Sequence, residues 1–119
     1  ETKFVNPKFA GRIYDYGSLA DGHEHKSKIG ATSFEAVMSS WDNEVLAPGA
    51  GTSFANATPE RYAHWLSRAI ITTGQKRPEE QLIFINAWNA WGQGAHLEPD
   101  QRHGYGYLHA TTKPRTIRV

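Results

Sequence analysis

Residues 86 to 100 read NAWNAWGQGAHLEPD, a stretch that gathers two indoles, three carboxamides, an imidazole and two carboxylates. Indole faces cover the C–H surface of a flat ring, and amides exchange hydrogen bonds with its hydroxyls. A pyranose is the ligand class that such a mixture favours. Asn86, Trp88, Asn89 and Trp91 are therefore candidate saccharide contacts, and His96 is a candidate contact in the same mouth. Trp41 followed by Asp42 repeats the pairing of an aromatic face with an acceptor further up the chain. The competing reading is structural: indoles filling core and amides tying down a loop.

The elements that would position these groups follow from periodicity. Three segments read as strands: GRIYDY (11 to 16), FEAVMSSW (34 to 41) and LIFINAW (82 to 88). The third is nearly continuous apolar residue, which suits a strand covered on both faces in a parallel sheet. Alternation puts Phe84, Asn86 and Trp88 on one face and Ile83, Ile85 and Ala87 on the other. Between the second and third strands, Thr58 can cap a helix, Pro59 suits its first position and Glu60 suits its positive end. Tyr62, Trp65, Leu66, Ala69 and Ile70 then make one apolar stripe, and Gly74 ends it. Strand, helix and strand in that order form a βαβ unit. Residues 17 to 32 and 43 to 57 read as loops with a turn of helix, and 103 to 112 as a short last helix. Parallel strands in such folds present their C-terminal ends to ligands. Asp15 and Asp42 fall at those ends, whereas Glu98 and Asp100 read as solvated loop charges.

The chain has 119 residues and a net charge of +1, enough for one domain and too balanced for a nucleic-acid or anionic-lipid footprint. It contains no cysteine, which excludes disulfides, thiolate metal sites and cysteine nucleophiles and is compatible with the cytoplasmic setting expected here. No apolar run is long enough for a membrane span. The histidines of GHEH, His23 and His25, supply at most two ligands, so no metal site is expected. Neither a glycine-rich phosphate cradle nor a D-x-D motif is visible, and no cofactor is expected. Asn56-Ala57-Thr58 matches a glycosylation acceptor, but helix capping explains Thr58 sufficiently.

The tryptophan-rich stretch resembles the signature N-A-W-N-E-W-x-E-G-x-x-L-E-P-D of the WbsX-type glycosyltransferase-like domains, related to the glycoside hydrolase family 99 endo-mannosidases. RIYDY, VMSSWDN, TPERYAHWLSRAI and RHGYGYLHA resemble further family segments in the same order. The resemblance implies a (β/α)8 barrel and a bacterial protein of lipopolysaccharide or surface-polysaccharide biosynthesis. It implies a saccharide ligand, for which the residues read above, Trp41, Asp42, Asn86, Trp88, Asn89, Trp91 and His96, are the candidate contacts. The hydrolase relatives use carboxylates of the W-N-E-W-x-E-G motif, and here those positions are Ala90 and Gln93. Alanine moves no proton and glutamine cannot ionise, while glycoside hydrolysis normally needs two carboxyl groups. A carbohydrate-active domain and a non-catalytic saccharide-binding or structural module therefore both stand.

A closed barrel of this kind takes about 250 residues, and this chain has strands for only the last units. The expectation is a single α/β domain over 1–119, a C-terminal fragment or truncated version with a small, mostly parallel sheet and flanking helices. Open sheet edges make self-association an expectation as well.

Overall fold

The computed structural model describes residues 6–22 and 32–113. The elements run β1 (Arg12–Asp15), α1 (Tyr16–Gly22), β2 (Glu35–Met38), β3 (Thr52–Ala55), α2 (Pro59–Gly74), β4 (Ile83–Asn86), β5 (Asn89–Ala90), β6 (Ala95–His96) and α3 (Gly106–Thr112). The fold is mixed α/β with small parallel sheets. β1 pairs in parallel with β3, β2 pairs in parallel with β4, and β5 and β6 form a short antiparallel hairpin. An Asp42–Ser53 bridge and the Phe54 N–H bond to the Trp41 carbonyl (2.9 Å) tie β3 to the segment after β2.

α2 forms as its residues dictate. The Thr58 hydroxyl accepts from the Arg61 N–H (3.2 Å), Pro59 opens the helix, and Tyr62, Trp65, Leu66 and Ala69 are buried. Ile70 departs from the expected stripe: it is 40% exposed, because Thr73 rather than Ile70 completes the buried face. The core gathers Tyr16 of α1, Val37 of β2, the α2 stripe, Leu97 and Tyr107 of α3. Trp65 meets Tyr16 edge-on at 5.8 Å, and Tyr62 meets Tyr107 at 5.7 Å. The Tyr16 hydroxyl donates to the Met38 carbonyl (2.5 Å), which satisfies a phenol whose burial raises its pKa well above the ordinary value.

Four expectations need correction. The segment 43–57 is not all loop, because β1 supplies β3 with a parallel ladder from Arg12–Thr52 to Asp15–Ala55. α1 is a two-turn helix rather than a single turn in a loop. The third strand stops at Asn86, and the Asn86–Ala87 peptide is cis. That strand is covered on one face only: Ile83 and Ile85 pack on the core, while Phe84 is 58% exposed. Continuous apolarity here reflects one buried and one uncovered face. His23 and His25 lie outside the described residues.

Candidate functional site

β3, β6, the start of α2 and the start of α3, with the loop after β2 and the turn at 100–104, surround a cavity of about 510 Å³. Its walls include Trp41, Asp42, Asn56, Arg61, His96 and Asp100, with Phe54, Arg102, His103 and Tyr107 beside them.

Loop 40–42 and the segment just before β6 are laced together. The Asp42 N–H donates to the Gln93 carbonyl (2.7 Å), and the Ser40 hydroxyl donates to the Gly94 carbonyl. Gly94 sits at φ +62, and a Cβ there would stand 3.0 Å from the Asp42 nitrogen. Only glycine combines that left-handed backbone with so close an approach. The lacing fixes Trp41, half-buried, and Asp42, exposed, at the cavity wall. The Asp42 carboxylate accepts from the Glu44 N–H (3.0 Å), an Asx-type contact that orients it.

His96 enters from β6 with its side chain 12% exposed. Its ring stacks on Trp91 at 3.8 Å and 17°, and its Nε2 meets the Asp100 carboxylate at 2.8 Å. Asp100 also accepts from the His103 N–H (2.5 Å). Burial works to raise the Asp100 pKa, but the His103 and His96 hydrogen bonds outweigh it and hold the carboxyl below its ordinary value. An ionised Asp100 requires Nε2–H to donate, which leaves Nδ1 as the acceptor nitrogen of the neutral ring. Nδ1 is buried and has no partner among the described residues.

Asp15 stands behind the wall rather than in it. Its carboxylate accepts from the Asn56 amide (3.0 Å) and the Ser18 N–H (2.8 Å), and Arg61 lies 3.6 Å away. The Asn56 bond, then the Ser18 bond, hold its pKa below the usual carboxylate value. Asp15 thus aims Asn56 and Arg61, two residues that line the cavity.

The site residues expected from sequence divide into two groups. Trp41, Asp42 and His96 line the cavity together. Asn86, Trp88, Asn89 and Trp91 lie outside its lining, all four exposed. One face of Trp91 is covered by His96, and its Nε1–H donates to Glu98 (2.7 Å). Glu98 and Asp100 are therefore bonded bracing groups, not the solvated charges their loop position suggests. Ala90 and Gln93, at the motif glutamate positions, are also absent from the cavity lining. Asn56, Arg61, Arg102 and His103 line the cavity without having been expected as saccharide contacts. The spacing of Asp100 to His103, an aspartate that can accept from a backbone N–H in the turn ahead, was the signal for the last of these.

The family model described as Glycosyltransferase WbsX matches residues 1–111. The chain belongs to the WbsX glycosyltransferase family. Two curated relatives, both called uncharacterized protein WxcX, come from Xanthomonas campestris pv. campestris strains B100 and ATCC 33913. Each is 39% identical over 115 residues, which is 96% of this chain and 16% of the relative. The chain thus spans about a sixth of the length of these relatives. No solved structure matches it.

For a WbsX-family domain the cavity offers a consistent chemistry. Trp41 and Phe54 supply apolar faces, Asp42 and Asp100 accept hydrogen bonds, and Asn56 and Arg61 donate them. No group of three or more His, Asp or Glu placed to hold a metal occurs among the described residues. No helix among them is long and apolar enough to cross a membrane.

Proposed function

We propose that this WbsX-family chain holds a saccharide in the cavity bounded by Trp41, Asp42, Asn56, Arg61, His96 and Asp100. The carrying observation is that one hollow of about 510 Å³ combines aromatic faces with acceptors and donors braced by their own partners. Such pre-positioning lowers the ordering cost of binding a flexible polyol. Trp88, Asn86, Asn89 and Trp91 extend the sugar-facing surface outside the cavity. The family membership supports a carbohydrate-related role, and lipopolysaccharide or other surface-polysaccharide assembly is the setting we propose for the longer proteins.

The chain binds without cleaving by the two-carboxylate route, because Ala90 and Gln93 stand where that route needs ionisable groups. This favours the reading of a saccharide-holding module over that of a hydrolase. Self-association belongs to the same proposal: Leu82, Phe84 and Trp88 are each more than half exposed beside a two-stranded sheet.

Titration of the chain with manno-, rhamno- and gluco-oligosaccharides tests the proposal. Saturable binding with no product by mass spectrometry is the expected result. Absence of binding to all three sinks the saccharide reading, and turnover sinks the non-catalytic one.

A further inference from the structure

A second cavity, of about 610 Å³, lies between the first turn of α2 and α3. Arg102 and His103 line it and also line the first cavity, so the two hollows share a wall. Its floor is small and apolar, built from Pro59, Ala63, Gly106 and Ala110. Gly106 allows that floor: a Cβ there would stand 2.9 Å from Pro59 Cγ, so any side chain would have to push α3 away from α2. The rim is of opposite character. Arg102, His103, His109 and Lys113 face a single carboxylate, Glu60. With both imidazoles neutral, that is two fixed cations against one anion. Neither Arg102 nor Lys113 has a side-chain hydrogen bond or ion pair among the described residues.

We propose that the saccharide taken by the first cavity carries a phosphate group, and that the second cavity receives it. This inference rests on the saccharide reading and deepens it. A guanidinium offers a planar fork for phosphate oxygens, an ammonium offers a point charge, and imidazoles add donors beside them. Across the wall formed by Arg102 and His103, one ligand would meet neutral hydroxyl recognition on one side and anion recognition on the other. The small floor leaves room for a phosphate between the helices without displacing an aromatic ring. Two fixed cations match one phosphate group and fall well short of a nucleic-acid backbone, in keeping with a net charge of +1.

Isothermal titration calorimetry at neutral pH and low salt tests this with mannose, rhamnose and glucose, their 1-phosphates, and inorganic phosphate. At least one hexose 1-phosphate should bind about tenfold or more tightly than its parent sugar, the scale of one charge-assisted contact. It should also bind more tightly than inorganic phosphate. Lys113→Gln combined with His109→Gln should abolish that advantage and leave parent-sugar binding unchanged. Both residues are exposed, and an unchanged melting temperature confirms that the variant is folded. Equal affinity for every sugar and its 1-phosphate overturns the inference while leaving the saccharide reading intact. Inorganic phosphate binding as tightly as the phosphosugars overturns the linked site. An advantage that survives the double substitution overturns the assignment to the second cavity. Failure of all the sugars and phosphosugars overturns both readings.

Discussion

Gly94 and Asp100 hold the candidate site from opposite sides, one by backbone freedom and the other by charge. Replacing Gly94 with alanine forces a Cβ into a left-handed residue and against the Asp42 backbone. Gly94→Ala should cost about 1 to 2 kcal/mol in urea unfolding. Gly74→Ala, with nothing within 4 Å of its Cβ and no positive φ, should be neutral or stabilising by up to about 1 kcal/mol. Asp100 links the site to pH. Its folded pKa is depressed, so it contributes stability above the unfolded value of about 3.9, and that contribution is lost as pH falls through the folded value. Asp100→Asn should lower stability at neutral pH by about 1 to 3 kcal/mol. Thermal melts from about pH 5 to about pH 2 should then fall less steeply for the variant than for the parent chain. Parallel curves would show that Asp100 is not held by the bonds described. At this scale Trp41, Asp42 and His96 were legible, because aromatic, acidic and imidazole groups at strand ends advertise chemistry. Asn56 and Arg61 were not: Asp15, distant in sequence, aims them, and no local spacing records that contact.

Among the elements, α2 was readable because each of its determinants is local. Cap, proline and stripe lie within one continuous segment, and all act at helical spacing. Trp65→Ala should therefore destabilise by about 3 to 5 kcal/mol in chemical denaturation, through loss of a buried ring packed on Tyr16. Thr58→Ala should cost only about 1 kcal/mol, the worth of one cap. β3 was illegible for the converse reason. Thr52–Ala55 carries one large apolar side chain, Phe54, between Gly51 and Asn56, and its pairing comes from β1 and from the Trp41 carbonyl. The strand ending at Asn86 was found but given two buried faces. Apolar continuity cannot tell a strand covered on both sides from one whose second face is left open.

For the whole molecule, the core is concentrated where α1, α2 and α3 meet β2 and β4, while large apolar side chains remain uncovered elsewhere. Val45 is 78% exposed and Leu46 59%, and Phe84 and Trp88 are similarly bare. Sedimentation velocity should show concentration-dependent association for the parent chain, and Phe84→Ser should weaken it; a strictly monomeric parent would contradict the proposed role of that face. The binding claim belongs to this scale too, since the cavity exists only when four elements and two loops converge. The most direct measurement is an indole N–H titration by two-dimensional NMR, which resolves Trp41, Trp65, Trp88 and Trp91 separately as oligosaccharide is added. Trp41 is predicted to shift saturably with the bound fraction, and Trp65, buried in the core, to stay still. Shifts confined to Trp88 and Trp91, or no shift at any indole, would contradict a saccharide site in this cavity.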